Sequence, residues 1–107
     1  MASFDDREKG YESKFAHEEK LQFEINARRD KLLGLWAAEK IGLAGEEAEA
    51  YAKKVVIEDM SEPGDEDVYR LVKADLDTAN AGISEHQLRR QMEELRAVAR
   101  EQVVNAE

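Results

Sequence analysis

The chain has no cysteine, and its 107 residues include one proline and six glycines. Without cysteine it can form no disulfide, no thiolate zinc site and no thiol nucleophile. So few turn residues argue against a β protein of this size, which needs a turn after every short strand. Only three Phe, three Tyr and one Trp are present. The core must therefore consist mainly of Leu, Ile, Val and Ala, a composition that suits packed helices.

Long apolar runs and positive net charge are also missing. No run approaches the roughly 18 apolar residues of a membrane span, and the acidic N-terminus does not have the pattern of a signal peptide. We therefore expect a cytoplasmic protein that does not insert into a membrane. The net charge of −9 repels phosphate backbones, so no nucleic-acid partner is expected. Short basic clusters at 28–31, 53–54 and 89–90 are interpreted as solvated helix faces.

Hydrophobic spacing predicts four amphipathic helices with short connections, which favours an all-α, antiparallel four-helix bundle over residues 18–107. Ser84 and Gln87 have the spacing of a capping box, and Asp65 is a predicted N-cap. Glycine, proline and asparagine between the segments provide the helix ends. The predicted helices are Glu18–Ile41, Glu46–Met60, Asp65–Ala79 and Ser84–Asn105.

Two charged residues lie within predicted apolar stripes. Arg28 falls on the stripe of the first helix, which also holds Leu21, Ile25, Leu32 and Trp36, and Asp75 falls on the stripe of the third. Because an unpaired buried charge is costly, one hypothesis pairs Arg28, or its neighbour Arg29, with Asp75 across the bundle. The alternative is that Arg28 extends outward and Asp75 lies at a wet edge. Either arrangement is structural rather than catalytic.

The N-terminal segment, residues 1–17, has a different composition and is here called the arm. Phe4, Tyr11 and Phe15 are helically spaced, but the segment has almost no aliphatic residues against which to bury them. Ser3 and Asp6 favour a helix start, whereas Gly10 is expected to interrupt that helix at a cost of about 1 kcal/mol relative to alanine. We predict a marginally helical arm that orders on a partner. The alternative is a frayed tail that folds back on the bundle.

The sequence contains no recognisable catalytic or metal-binding pattern. His17 and His86 are single and far apart, and the acids between Glu58 and Asp67 lack the spacing of a calcium loop. No glycine-rich phosphate loop precedes a Lys-Ser/Thr pair. We therefore expect no enzyme activity, no metal and no cofactor. Weak binding of ATP or ADP at a basic edge stays open.

Several segments resemble the zeta-type inhibitor subunits of alphaproteobacterial F-type ATP synthases. The most specific is Ala-Arg-Arg-Asp-Lys-Leu-Leu-Gly-Leu-Trp-Ala-Ala at 27–38. Phe-Asp-Asp-Arg-Glu at 4–8 and Lys-Phe-Ala-His at 14–17 are also similar to that family, as are segments at 49–56, 67–68 and 73–76. The resemblance covers roughly residues 4–76, and the last helix matches in general character only.

This resemblance implies a four-helix bundle with a mobile inhibitory arm that enters the catalytic head of the ATP synthase. The arm would insert between an α and a β subunit beside the γ rotor subunit and block rotation in the hydrolysis direction. The protein would be a monomer when free and would reach the cytoplasmic face of the inner membrane through the ATP synthase. The implied apolar anchors are Phe4, Tyr11 and Phe15, and the implied remaining partner-binding residues are Asp5, Asp6, Arg7, Glu8, Lys9, Lys14 and His17.

Two other functions fit the residues without the resemblance. One is a small sensor that binds ATP or ADP weakly in the bundle. The other is a helical assembly adaptor that does not inhibit strongly, for which the arm would be dispensable.

Overall fold

The computed structural model describes residues 2–61 and 64–106, with side chains from residue 17 onward. It contains four helices: α1 (Ala2–Ile41), α2 (Gly45–Ser61), α3 (Glu66–Thr78) and α4 (Glu85–Ala106). No strand occurs in these described ranges, so the predicted all-α class is confirmed. α1 packs against all three other helices, and α3 also contacts each of its neighbours. No described helix is long and apolar enough to cross a bilayer.

α1 begins at Ala2 rather than at the predicted Glu18, so the arm and the first predicted helix form one continuous helix. The other helix ends lie within one residue of the predicted ones, because local hydrogen bonds close there. At the end of α1, the Leu43 N–H donates to the Ala38 carbonyl at 2.8 Å, and the Gly42 N–H donates to the Glu39 carbonyl at 3.1 Å. Gly42 has a φ of 98°, a left-handed conformation that glycine adopts without penalty. This pair of bonds is the Schellman pattern, which satisfies carbonyls that the helix itself leaves unpaired.

The capping box predicted for α4 is present. The Gln87 N–H donates to Ser84 Oγ at 3.1 Å, and the Ser84 N–H donates to Gln87 Oε1 at 2.9 Å. Asp65 does lie at the N-cap of α3, but its side chain makes no capping hydrogen bond. Its carboxylate is bonded instead to Arg29. A long-range partner therefore replaces the local one that was predicted.

The core consists of aliphatic side chains from all four helices, with Trp36 packed at its edge. A smaller cluster, formed by Ile25 of α1 with Ala99 and Val103 of α4, lies toward the N-terminal end of the described side chains. The main cluster comprises Leu33, Ala37, Val55, Val68, Val72, Leu76, Leu88 and Met92.

Two expectations for α1 were wrong. The helix runs unbroken through Gly10, since a cost near 1 kcal/mol does not end a helix whose flanking residues favour it. The most buried line along α1 is Ile25, Arg29, Leu33 and Ala37 rather than the predicted stripe through Arg28. α1 contacts neighbours on several sides, so the largest apolar residues do not mark the centre of its buried surface.

α1 and α2 approach most closely at Gly34. A Cβ atom added to this glycine would lie 2.5 Å from the Cα of Ala52 and 3.0 Å from its Cβ. Ala37, Ala38 and Ala52 are fully or almost fully buried around this contact. Small side chains thus allow the two backbones to pack against each other.

Candidate functional site

The arm predicted to bind a partner is the N-terminal continuation of α1. Its backbone is helical from Ala2 onward. The side chains of Phe4, Tyr11 and Phe15, and of the charged residues between them, lie outside the described part of the structure. His17, the last residue of the arm, is exposed, and so are the next three residues. Leu21 is the first described side chain that packs on the core, so α1 leaves the bundle at this residue.

The proposed pairing of Arg28 or Arg29 with Asp75 is wrong. Arg28 is exposed, and its Nη1 donates to Gln102 Oε1 at 3.4 Å. Asp75 accepts a hydrogen bond from the hydroxyl of Tyr51 at 2.9 Å. Burial and this carboxylate neighbour raise the pKa of Tyr51. The alternative given for Arg28, an outward-facing side chain, is the arrangement that the structure contains.

The buried charge in α1 is Arg29, whose side chain is 1% exposed. Its Nε donates to the carboxylate of Asp30 at 2.8 Å, and its Nη2 donates to that of Asp65 at 2.8 Å. Asp30 is as deeply buried as Arg29, and it is also hydrogen-bonded to Asp59 near the end of α2. We call Arg29, Asp30, Asp59 and Asp65 the carboxylate cluster. It joins α1 to the end of α2 and the start of α3.

The carboxylate cluster has three acids but only one arginine. Arg29 cannot neutralise all three carboxylates, so burial decides which of them stays protonated. Burial first, and then the hydrogen bond with Asp59, raise the pKa of Asp30 from 3.8 to about 8, against the attraction of Arg29. The hydrogen bond from Arg29 lowers the pKa of Asp65. Burial opposes the charge on Arg29, but the bonds to Asp65 and the field of Asp30 leave its pKa raised. Near neutral pH, Asp30 therefore retains its proton and can donate it to Asp59.

We predict that Asp30→Asn removes part of the pH dependence of folding. Between about pH 4 and about pH 8 the native state holds a proton on Asp30 that the unfolded chain has released. Stability from this group therefore falls as pH rises through that window. An amide keeps both hydrogen bonds and does not ionise, so the variant should gain stability relative to the parent as pH rises.

Urea unfolding of both proteins at several pH values would test this prediction. Asp77→Asn on α3 is the control, because Asp77 is 60% exposed and pairs with Lys73 at the surface. The free energy of unfolding of the control variant should follow that of the parent. Parallel stability curves for the parent and Asp30→Asn would contradict the assigned proton.

A second polar contact joins α3 to α4. Arg89 makes two hydrogen bonds to the carboxylate of Glu66, at 2.8 and 3.2 Å. Its guanidinium lies 3.8 Å from the centroid of the Tyr69 ring, a stacking distance. The hydrogen bonds with Glu66 raise the pKa of Arg89. This contact is exposed and holds the two helices in register.

The sequence analysis missed the carboxylate cluster because its members are spread over residues 29–65. The available signal was the pair Arg29-Asp30, which follows the predicted stripe residue Arg28 within the first helix. No three or more His, Cys, Asp or Glu residues in the described part of the chain are placed to hold a metal ion. The hydrogen bonds of the cluster connect α1 with α2 and α3, and burial keeps a proton on Asp30.

Comparisons with known proteins place the chain in a family. The family model described as ATPase inhibitor subunit zeta matches residues 1–102. A protein solved by solution NMR superposes with a TM-score of 0.72 at 46% sequence identity, covering 81% of this chain and 99% of that one. The search of curated proteins returned no match.

Proposed function

The chain belongs to the ATPase inhibitor subunit zeta family, and on that premise we propose that its arm inhibits ATP hydrolysis by the F-type ATP synthase. In this proposal the arm inserts between an α and a β subunit of the catalytic head, next to the γ rotor subunit. There it blocks rotation in the hydrolysis direction. The protein acts at the cytoplasmic face of the inner membrane, bound to the ATP synthase and without a cofactor.

The observation that carries the proposal is the extent of the family match, which begins at residue 1 and so includes the whole arm. The structure also shows how the start of the arm is held by the bundle. Leu21 and Ile25 pack against Ala99 and Val103 of α4, and this packing anchors α1 in the bundle where the exposed segment begins. An arm that continues a packed helix has a fixed starting direction, which lowers the entropy lost when it docks.

The proposed mechanism is steric. A catalytic interface must open and close during hydrolysis, and an ordered helix wedged into it prevents that movement. Fixing the position and the side chains of the arm on docking still costs entropy, so burial of the aromatic rings has to supply most of the affinity. Phe4, Tyr11 and Phe15 are the proposed anchors. The charged residues between them, Asp5 to Lys9 and Lys14, would form the polar rim.

The test is ATP hydrolysis by the purified catalytic head, titrated with the full chain and with a chain lacking residues 1–17. We expect the full chain to inhibit and the truncated chain to lose inhibition. Single alanine substitutions at Phe4, Tyr11 or Phe15 should each weaken inhibition by about 2 kcal/mol, or roughly thirtyfold, as expected for aromatic anchors.

Val98→Ala is the matched control, since Val98 is an exposed apolar residue on α4. Its inhibition constant should equal that of the parent. Circular dichroism of the truncated chain should show that the bundle still folds. If the truncated chain inhibits as strongly as the full chain, the arm is not the inhibitory element. If both chains bind the head and neither inhibits, the helical adaptor is the better description.

A further inference from the structure

Residues 57–65 form the end of α2 and its connection to α3, and are here called the connecting segment. Among its described residues none is buried, and the side chains of Ile57 and Met60 are 54% and 62% exposed. The nearest buried apolar residues are Val55 before it and Val68 after it. A segment that buries so little apolar surface opens more easily than the helices on either side.

Two polar contacts hold the connecting segment to α1. Asp59 is hydrogen-bonded to Asp30, and Asp65 accepts a hydrogen bond from Arg29 Nη2 at 2.8 Å. Arg29 and Asp30 are consecutive in the sequence, and each is 1% exposed. Both contacts therefore meet α1 at one buried point, and the loss of either weakens the attachment of the segment.

Contacts outside this point hold the rest of α2 and α3 in place. α2 buries Ala52 and Val55, and α3 buries Val68 and two further apolar residues. In addition, Glu66 in the first turn of α3 is hydrogen-bonded to Arg89 of α4. Movement of the connecting segment can therefore end at these residues without unfolding the bundle.

The contact between Asp59 and Asp30 requires a proton. Two ionised carboxylates are both acceptors, so they form a hydrogen bond only when one of them is protonated. Among the described residues that line the depression shared by Asp30 and Asp59, none is basic. α4 adds three charged residues around the bond between Arg29 and Asp65, namely Arg89, Glu93 and Arg96. Without the proton the two aspartates repel each other, and Arg29, which Asp65 also engages, offsets part of that charge.

Opening of the connecting segment releases this proton. Burial and Asp59 raise the pKa of Asp30 from 3.8 to about 8 in the packed chain, and exposure to water returns it toward 3.8. The depression shared by the two aspartates has a volume of about 400 Å³, so solvent reaches the edge of the pair. Between about pH 4 and about pH 8 the open fraction should grow about tenfold per pH unit, because each opening releases one proton. At higher pH the growth levels off, since the packed chain has then lost the proton as well.

We propose that the Asp30–Asp59 pair is a pH-dependent switch that opens the connecting segment when its proton is lost, while the rest of the bundle stays folded. The closed form is the arrangement described above. In the open form Asp59 leaves Asp30, and the last turn of α2 moves away from α1. Order at this end of the bundle thereby responds to pH in the neutral range. The switch does not depend on the proposed function, because all of the groups that form it lie in this chain.

Amide hydrogen exchange of the full chain, followed by NMR between about pH 5 and about pH 7.5, measures this opening. The chemical rate of amide exchange rises about tenfold per pH unit, and an opening that releases one proton adds another factor of about ten. We therefore expect the amides of Asp59 and Met60 to exchange about a hundredfold faster for each pH unit. Their opening constants should exceed the equilibrium constant for global unfolding, measured with urea, by about tenfold or more.

Asp30→Asn is the test variant, because an amide carries no titrating proton. In this variant the amides of Asp59 and Met60 should exchange only about tenfold faster per pH unit. Asp77→Asn is the matched control, since it removes an exposed carboxylate from α3, and it should keep the steeper dependence. The amide of Val104, near the end of α4, should show the shallower dependence in the parent, because its opening leaves Asp30 in place.

A ¹³C titration of the aspartate carboxyl groups in the parent gives a result that does not rely on any variant. Asp30 should titrate near pH 8, far above the exposed aspartates. Titration of Asp30 near pH 4 overturns the proposal, and so does the shallower dependence at Asp59 and Met60 in the parent. A steep dependence that persists in Asp30→Asn assigns the proton to another group and overturns it too. Opening constants equal to that of global unfolding overturn the separate movement of the connecting segment.

Discussion

Arg29→Met should lower the free energy of unfolding by about 3 kcal/mol, because it removes two hydrogen bonds from a charged donor, each worth about 1.5 kcal/mol. Methionine keeps most of the apolar stem but donates no hydrogen bond. Asp30 and Asp65 each lose a partner at 2.8 Å, and the direct bond from α1 to the start of α3 disappears. Asp30 then retains its proton to a higher pH, because the attraction of Arg29 no longer lowers its pKa.

The neighbouring residue supplies the control for this prediction. Arg28→Met makes the same chemical change at an exposed position with one long hydrogen bond to Gln102. Such surface substitutions usually change stability by less than about 0.5 kcal/mol. Urea denaturation followed by circular dichroism measures both variants. Equal losses from the two substitutions would show that the carboxylate cluster does not hold α1, α2 and α3 together.

Gly34→Ala should be strongly destabilising, although helix propensity alone predicts the opposite. In an exposed helix interior, alanine is about 1 kcal/mol more favourable than glycine. At Gly34 the added methyl would lie 2.5 Å from the backbone Cα of Ala52, so the helices have to separate. Overpacking of this kind costs about 1–3 kcal/mol, and contact with backbone rather than a movable side chain favours the upper end.

The sign of the change makes this test decisive. A rise in thermal unfolding temperature for Gly34→Ala would mean that α1 and α2 do not approach each other as described. Ala97→Gly on the exposed surface of α4 is the control for propensity, and it should cost about 1 kcal/mol. Ala52→Gly combined with Gly34→Ala should restore little stability, because the nearest atom is backbone.

The local sequence was sufficient to predict the helices and most of their ends. Ser84 and Gln87 form the predicted capping box because both of its hydrogen bonds lie within one turn. Gly42 and Asn80 end their helices in the left-handed conformation, which is a property of the residue type. Such features need no information from distant residues.

Of the two candidate sites, one could be inferred from the sequence and the other could not. The composition of the arm, aromatic but with almost no aliphatic partners, indicated a binding segment from the sequence alone. The carboxylate cluster could not be predicted, because Asp59 and Asp65 reach Asp30 and Arg29 only after the end of α2 and the start of α3 pack against α1. The hypothesis that placed Arg28 or Arg29 opposite Asp75 failed for this reason. Charge pairs across a bundle depend on helix rotation, which periodicity fixes only to within about one residue position.

The sequence by itself determined the all-α class, the helix ends other than the start of α1, the absence of thiol chemistry and the resemblance to an inhibitor family. These follow from residue types and from spacing within one or two turns. Only the tertiary structure decided which arginine is buried, which carboxyl retains a proton and which acids that arginine contacts. Those properties depend on solvent exclusion and on distances between segments far apart in the chain, and both arise only when the helices pack.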